Sequence, residues 1–214
     1  MVPNAVCGLK NTTVDAREVL EIIRSHLDAL PLVLYIHGSR AYGYAYTGSD
    51  FDIRGIFIEL NRKRYFSPFW PARIETHIDE HPYDIRLWEL RKFSKLVLGF
   101  NPIVYELLQL EPFYICERFR GQCIRLINLA RNIYLRHPPN KLYHHYYGLF
   151  KSWLRYLEKA PEKSIYHIIR SFLALSYIST YKKPPPSLEF STSTYPVIFP
   201  VGGPEGEIYI GPLE

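Results

Sequence analysis

The sequence predicts an α+β protein: a small mixed sheet flanked by helices, followed by a helical bundle. In the first 90 residues, short apolar segments typical of strands alternate with a helical pattern, whereas apolar residues recur mainly at helical spacing over residues 89–181. Hydrophobic residues make up 47% of the 214-residue chain. This composition excludes an intrinsically disordered protein and suffices for one or two compact cores.

A helix and a strand come first in this order of elements. Residues 16–30 carry apolar side chains at helical spacing with charged residues between them, and Pro31 is expected to end the helix. The apolar residues 32–37 predict a strand that runs into Gly38-Ser39, where a turn and a short helix are expected.

The next strand carries the most informative pattern of the chain. Asp50-Phe51-Asp52 opens it, and apolar residues continue over 53–58. Because successive side chains of a strand point to opposite faces, both carboxylates are expected on one face with Phe51 buried behind them. Two neighbouring carboxylates repel unless a cation lies between them, and hard divalent cations prefer oxygen ligands. The alternative is an ordinary strand-turn-strand with exposed aspartates.

The Gly38-Ser39 pair adds a phosphate-binding element to these carboxylates. Glycine lets the backbone approach a ligand closely, and Ser39 is well placed to begin a helix whose free N–H groups attract phosphate. The stretch 33–58 therefore predicts a nucleotide site, in which a phosphate-binding turn faces metal-binding carboxylates.

A hairpin and several helices complete the prediction. Residues 72–78 and 83–88 have the pattern of two strands joined by a turn at 79–82, with Asp84 at the start of the second strand. Helical patterns follow over 90–97, 103–110, 113–135, 142–157 and 162–181. The last of them places Lys163, His167 and Arg170 on one face, either as a solvated basic face or as a clamp for the β- and γ-phosphates of a triphosphate.

The ordered combination of Gly-Ser, a spacer and Asp-apolar-Asp-apolar resembles the signature of the DNA polymerase beta-like nucleotidyltransferase superfamily. A more specific resemblance, to the predicted nucleotidyltransferases of the RNA-repair-associated polymerase-beta family, is carried by GSRAYGYAYTGSDFDIRGIFI. It covers roughly residues 15–190. It implies a nucleotidyltransferase catalytic domain over residues 1–90 and a helical domain over 91–183. Residues 184–214 remain as a Pro/Gly-rich tail or small hairpin.

The resemblance also implies a chemistry and its residues. A nucleoside monophosphate is transferred from a nucleoside triphosphate to a hydroxyl, with release of pyrophosphate and with two Mg²⁺ or Mn²⁺ ions. Asp50, Asp52 and Asp84 are expected to hold the ions and to be catalytic. The nucleotide is expected to contact Gly38, Ser39, Arg40, Arg54, Lys163, His167 and Arg170, although Arg40 and Arg54 could equally be structural. For the third acid, two alternatives stay open: Asp84 only ends the turn, or Asp79, expected in that exposed turn, is the ligand.

Charge and the resemblance together indicate the acceptor of the transferred nucleoside monophosphate. A net charge of +5 and a pI near 9.0 suit an anionic partner, and with the resemblance they favour an RNA end. A protein hydroxyl, as in antitoxins that adenylylate their toxin, is the alternative. The basic and aromatic stretch 61–71 is either a nucleic-acid contact or a plain surface loop. Oligomeric state is left open.

A hypothesis of another class is a small helical ribonuclease. Arg131 and His137 fit a loose Arg-spacer-His pattern, which arises easily by chance in an arginine-rich helix. Other classes are excluded more firmly by composition. Cys7, Cys116 and Cys123 are too few and too far apart for a zinc or disulfide framework. No segment resembles a signal peptide or a membrane span, so a cytoplasmic protein with no membrane partner is expected.

Overall fold

The structure, a computed structural model, describes residues 14–42, 45, 48–66, 74–137 and 139–185. Within these ranges the chain forms five strands, eight α-helices and one turn of 3-10 helix at Glu117–Phe119. The strands are β1 (Ala29–Ile36), β2 (Phe51–Glu59), β3 (Glu75–Glu80), β4 (Tyr83–Glu89) and β5 (Tyr114–Ile115). The helices are α1 (Ala16–His26), α2 (Gly38–Ala41), α3 (Arg62–Phe66), α4 (Leu90–Leu98), α5 (Pro102–Leu107), α6 (Arg120–Arg136), α7 (Asn140–Tyr156) and α8 (Pro161–Tyr181).

The five strands form one mixed sheet, in the order β3-β4-β2-β1-β5. Strands β2 and β4 are parallel, and the other neighbouring pairs are antiparallel. The parallel pair begins with Phe51 beside Tyr83, so the first residues of β2 and β4 lie next to each other. This mixed sheet with its flanking and following helices confirms the predicted α+β fold.

Helix α1 ends earlier than its sequence pattern predicts. It starts at the Asp15 cap, whose carboxylate accepts a hydrogen bond of 2.8 Å from the Arg17 amide, and it ends at His26 rather than near residue 30. Pro31 lies inside β1, where the pairing with β2 shifts register between Pro31 and Val33. Such an irregularity tolerates a residue that cannot donate a backbone hydrogen bond, so the proline interrupts a strand rather than a helix.

Each face of the sheet packs against a different apolar cluster. One face contributes Leu34, Phe57 and Ile85 to a core shared with α1. The other contributes Val33 and Ile56 to a larger core with the helices from α4 onward. Because both faces of the central strands are covered, their burial is nearly continuous rather than strictly alternating. Asp52 and Arg54 are the partly exposed polar residues of β2 and mark its accessible part, whereas Glu59 at the end of the strand is buried.

The segment after α5 departs from the prediction. Residues 113–135 show helical spacing throughout, yet Tyr114–Ile115 forms β5, and α6 begins only at Arg120. The amide of Phe113 donates to the Leu34 carbonyl at 3.0 Å, and that of Cys116 donates to the Leu32 carbonyl at 2.8 Å. A strand of two residues is too short to give a periodic pattern, while its bonds satisfy the outer edge of β1.

Cys116 and Cys123 are buried free thiols, whereas Cys7 lies outside the described residues. Among the helices of the described chain, none has both the length and the apolar composition needed to cross a membrane.

Candidate active site

The centre of the candidate site is a pair of aspartates on neighbouring parallel strands. Asp52 of β2 lies directly beside Asp84 of β4 in the sheet register. Neighbouring strands are about 4.8 Å apart, and paired residues point to the same face. The carboxylates are partly accessible, with exposed fractions of 27% and 23%. Phe51, between Asp50 and Asp52 in the sequence, is buried as predicted.

One cationic side chain lies between the two carboxylates. Arg54 follows Asp52 by two residues on the same face of β2, and its Nη2 lies 3.1 Å from Asp52 Oδ1 and 3.7 Å from Asp84 Oδ2. One oxygen from each carboxylate therefore converges on a single cationic nitrogen. Burial lowers the pKa of Arg54, which the two carboxylates partly oppose. The repulsion expected between two neighbouring aspartates is thus compensated within the protein itself.

Asp84 makes two further polar contacts through its other oxygen. His77 Nε2, on β3, lies 2.8 Å from Asp84 Oδ1, and Arg86 Nε lies 3.4 Å from the same atom. Burial alone would raise the pKa of Asp84, but the nearby Arg54, Arg86 and His77 outweigh it and lower the pKa below its ordinary value. Asp84 is therefore an anion at neutral pH, with Oδ2 directed toward the Asp52 side.

The position of Asp79 corrects the predicted hairpin. The turn consists of His81 and Pro82 alone, and Asp79 lies within β3, directly opposite Asp84. The expectation that Asp79 occupies the exposed turn is wrong, because β3 extends to Glu80 and leaves only two residues for the connection. Asp79 thus extends the row of Asp52 and Asp84 to the edge of the sheet, where its side chain is exposed.

Asp50 lies just before β2 and is less enclosed than the other two predicted acids. Its side chain is 61% exposed, and its Oδ1 is 3.3 Å from His81 Nδ1 at the hairpin turn. The structure therefore brings Asp52 and Asp84 together and places Asp50 at the rim, beside the β3–β4 turn.

The predicted glycine turn packs directly on Asp52. Gly38 has φ +62°, in the left-handed region, and a Cβ added there would come within 1.9 Å of Asp52 Oδ2. The His37 amide donates to the Asp52 carbonyl at 2.7 Å. Ser39 is half-buried in the same turn. The sequence predicts that Gly38 leaves room for a ligand, and in the structure the Asp52 carboxylate occupies this space, for which only glycine leaves room.

Arg40 contacts the residues just before and at the start of β2. Its Nη2 donates to the Ser49 carbonyl at 2.6 Å, and its guanidinium lies 3.8 Å from the centre of the Phe51 ring. These contacts connect the turn after β1 to the segment that carries Asp50.

A buried polar cluster behind the glycine turn was not predicted. Glu106 of α5, 2% exposed, forms an ion pair with Arg170 of α8 and accepts hydrogen bonds from the hydroxyls of Tyr42, at 2.8 Å, and Tyr146, at 3.1 Å. Tyr42 also contacts His37 Nε2 at 3.1 Å. A sequence signal for this cluster does exist, since Glu106 is the one charged residue of the otherwise apolar helix α5. A buried charge needs a partner of opposite sign.

The predicted cationic clamp falls partly within this cluster. Arg170 is 7% exposed, and Glu106 and Tyr42 raise its pKa although burial opposes this. His167 stacks on Trp153, with the ring centres 4.1 Å apart. The Nδ1 atom of His167 lies 3.3 Å from Arg170 Nη2. The side chain of Lys163 lies outside what the structure describes. Contact of these three residues with a triphosphate stays a prediction.

The two residues of the ribonuclease hypothesis have structural contacts. Arg131 Nε donates to the Leu108 carbonyl at 2.7 Å, after the last turn of α5. His137, beyond the end of α6, packs edge-on against Phe100.

Of the basic stretch 61–71, the structure describes α3, in which the Tyr65 ring lies 4.2 Å from the Arg91 guanidinium. Residues 67–73 lie outside the described residues. Most of the predicted tail, from residue 186 onward, also lies outside them.

The residues present fit a divalent cation, although they do not enclose one. No group of three or more His, Cys, Asp or Glu side chains within the described ranges is arranged to hold a metal ion. Mg²⁺, however, is usually bound by one or two carboxylates together with substrate phosphates and water. The convergence of Asp52 and Asp84 on one cationic nitrogen provides such a pair of hard oxygen ligands.

Comparison with known proteins supports the resemblance seen in the sequence. A model of the RNA repair pathway DNA polymerase beta family matches residues 14–195. An uncharacterized protein of Bacillus subtilis (strain 168), YcgL, is 27% identical over 156 residues, which is 70% of this chain. The chain spans 56% of the length of that relative. A crystal structure of a nucleotidyltransferase-like protein from Exiguobacterium sibiricum 255-15 matches 82% of this chain and 60% of its own, with 10% identity and a TM-score of 0.35.

The family match covers all the strands and helices of the described chain, including the glycine turn and the paired aspartates. More than half of the sequence is thus matched over one continuous range. The chain belongs to the RNA repair pathway DNA polymerase beta family.

Proposed function

We propose that the protein transfers a nucleoside monophosphate from a nucleoside triphosphate to the hydroxyl of an RNA end and releases pyrophosphate. One observation carries the proposal: within a polymerase beta-like nucleotidyltransferase, Asp52 and Asp84 lie side by side with one oxygen each directed at the same cation position. The glycine turn that packs on Asp52 supplies the adjoining surface for phosphate.

The carboxylates provide the negative charge that such a reaction requires. Asp52 and Asp84, with Asp50 at the rim, are the residues that would hold the two Mg²⁺ or Mn²⁺ ions that the family resemblance implies. When bound, the metal would lower the pKa of the attacking hydroxyl and would neutralise charge on the triphosphate. Arg54 balances the charge of the two aspartates in this structure, a role that a bound metal ion would take over or share.

The remaining residues bind and orient. His77 and Arg86 fix Asp84 through Oδ1, so that Oδ2 faces Asp52. The backbone of Gly38 lies beside Asp52. This backbone and the hydroxyl of Ser39, the next residue of the same turn, are the proposed phosphate contacts. The acceptor oxygen forms a bond to the α-phosphorus while the bond from that phosphorus to the pyrophosphate oxygen breaks. Arg40, Lys163, His167 and Arg170 are retained as proposed nucleotide-binding residues on the sequence pattern alone.

The proposal is tested by label transfer from each α-labelled nucleoside triphosphate, with divalent metal, to RNA ends and to protein acceptors in separate reactions. We expect transfer to RNA that Asp52→Asn reduces on the order of a hundredfold or more, since it removes one charge from the metal-binding pair. Asp28→Asn is the matched control, because Asp28 is an exposed aspartate before β1. Transfer of label to protein alone would show that the acceptor is a protein hydroxyl and not an RNA end. Full activity of Asp52→Asn would refute the proposed site.

A further inference from the structure

The basic charge of the chain is concentrated in one part of the helical region. From residue 118 to residue 157 the sequence contains eight Lys or Arg residues and no Asp or Glu. The formal charge of this segment, +8, exceeds that of the whole chain, +5. The segment includes all of α6 and α7, so both helices lack a carboxylate along their full length. A solvated helix surface normally mixes charges of both signs, so this asymmetry calls for an anionic partner.

The outer face of α7 arranges these charges in a row. Lys141, His144, Lys151 and Arg155 recur at intervals of three, seven and four residues, which places them on one side of the helix, and all four side chains are exposed. None of the four has an ion-pair partner among the described residues. We call this row, together with Tyr147, the α7 basic face. Helix α7 has 17 residues and is therefore about 26 Å long.

One exposed tyrosine ring lies among these cations, and a second lies at the end of α7, outside the α7 basic face. Tyr147, between His144 and Lys151, is 46% exposed, and the Lys151 ammonium lies 5.4 Å from the centre of its ring. Tyr156, at the end of α7, is 53% exposed, with Lys159 5.8 Å from its ring. An anionic membrane or an acidic peptide needs only the cations. Exposed flat rings beside cations also provide surfaces on which unpaired bases stack, so the combination favours single-stranded nucleic acid.

The inner face of α7 connects this surface to the candidate active site. Tyr146, adjacent to Tyr147 in sequence but buried, donates to Glu106, and Glu106 accepts from Tyr42 at the end of the glycine turn. A nucleic-acid strand bound to the outer face of α7 would therefore lie on a helix that is connected to the glycine turn by two side-chain hydrogen bonds, both to Glu106.

We infer that the α7 basic face binds the single-stranded RNA whose end is the acceptor of the transfer. The inference rests on the proposed function, but binding can be measured without turnover. Lys141, Lys151 and Arg155 contact phosphates, and Tyr147 stacks on a base. The surface holds the strand independently of nucleotide and metal.

The test is fluorescence anisotropy with the full chain and a labelled, unstructured single-stranded RNA, without nucleotide, over a range of salt concentrations. The variant Lys141→Gln/Lys151→Gln/Arg155→Gln is expected to bind more weakly and to reduce the slope of log K against log salt by about 2, given about 0.7 for each lost phosphate contact. The matched control is Arg17→Gln/Arg24→Gln/Lys95→Gln, which removes three exposed cations from α1 and α4. Its slope is expected to stay close to that of the wild type.

Stacking is tested separately. Tyr147→Ala is expected to weaken binding on the order of tenfold without changing the salt slope, and Tyr147→Phe, which keeps the ring, is expected to retain affinity. Equal losses in the two triple variants would reduce the effect to net charge and overturn the inference. Equally tight binding of duplex RNA, unaffected by Tyr147→Ala, or binding to anionic lipid vesicles in place of RNA, would also overturn it.

Two further results separate this inference from the proposed function. If RNA binds through α7 but no label is transferred, the proposed function fails and the binding surface stands. If label is transferred to RNA while the triple variant binds and reacts like wild type, the surface fails and the function stands.

Discussion

Gly38 is the residue whose identity the structure explains most directly. Its left-handed backbone and its contact with Asp52 Oδ2 are separate constraints, and both favour the absence of a side chain. Gly48 provides a comparison within the same chain. It has φ +96°, yet a Cβ added there would have no described atom within 4 Å. The two glycines therefore share a conformational requirement, and only Gly38 has a steric one in addition.

We predict that Gly38→Ala destabilises the protein more than Gly48→Ala and also abolishes transfer. A left-handed conformation costs a non-glycine residue about 1–2 kcal/mol at either position. At Gly38 the new methyl group must also displace the Asp52 carboxylate. Urea unfolding and label transfer, measured on both variants, check this. Full activity of Gly38→Ala would show that the glycine turn can move away from Asp52 without loss of transfer.

Sequence and structure agree best where the information is local. The Gly38-Ser39 turn, Asp52 at the start of β2 and Asp84 at the start of β4 follow from short patterns, and the family match confirms the resemblance that those patterns suggested. The Tyr42–Glu106–Arg170 cluster could not be predicted in this way. Its contacts join residues 64 and 128 positions apart, and only the packing of α5 and α8 brings them together.

The β3–β4 hairpin shows how an element boundary affects a site prediction. The sequence pattern predicts different environments for the acids at positions 79 and 84, one in a turn and one in a strand. The structure pairs them directly across the hairpin. Asp84 nonetheless differs from Asp79 in its neighbours, since β4 lies between β3 and β2 and only Asp84 lies beside Asp52. The order of the strands, rather than position relative to the turn, therefore makes Asp84 and not Asp79 the candidate metal ligand.

We predict that Asp84→Asn reduces the rate of transfer on the order of a hundredfold or more and weakens triphosphate binding by less than about tenfold. The reason is that Asp52 and the glycine turn remain to bind the nucleotide. Asp79→Asn, its direct neighbour across the hairpin, is expected to keep nearly full activity because its exposed side chain lies at the sheet edge. Transfer rates and triphosphate affinities of both variants decide the matter. If the Asp79 variant were inactive and the Asp84 variant active, Asp79 rather than Asp84 would be the metal ligand.

For the molecule as a whole, the Glu106–Arg170 pair is the main polar connection between the helical part and the turn that follows β1. The pair joins α5 to α8, and Tyr42 and Tyr146 extend it to α2 and α7. An ion pair this deeply buried contributes little net stability against an apolar replacement, but removing one partner leaves an uncompensated charge. The division into domains at residues 90 and 183 stays a prediction, and this cluster crosses the first boundary.

We predict that Glu106→Gln lowers the free energy of unfolding by about 3–5 kcal/mol, because Arg170 is left buried without its counter-ion. Glu111→Gln, at an exposed glutamate shortly after α5, is expected to change it by less than about 0.5 kcal/mol. Urea unfolding compares the two variants. Adding Arg170→Met to Glu106→Gln should recover much of the loss, whereas equal stability of the two single variants would mean that the pair is not buried in solution.

The last prediction concerns pH, through the buried histidine between the sheet and this cluster. His37 is 7% exposed, and burial, with Arg54, Arg170 and His167 nearby, lowers its pKa to about 3 from an ordinary value near 6.5. The hydroxyl of Tyr42 gives its one proton to Glu106, so neutral His37 is the donor to Tyr42 through Nε2. Protonation in the folded state would place a further positive charge among these cations.

Between pH 6.5 and pH 3 the unfolded chain therefore binds a proton at this position and the folded chain does not. Stability then rises with pH in this window, and it is lost as the pH falls below about 6.5. At pH 5 the expected loss relative to pH 8 is about 2 kcal/mol from His37 alone. His37→Gln keeps a hydrogen-bond donor but cannot titrate, so its unfolding free energy should depend less on pH by this amount. Urea unfolding of both proteins at pH 5 and pH 8 measures the difference. Parallel pH profiles would show that His37 takes up its proton in the folded protein as easily as in the unfolded one.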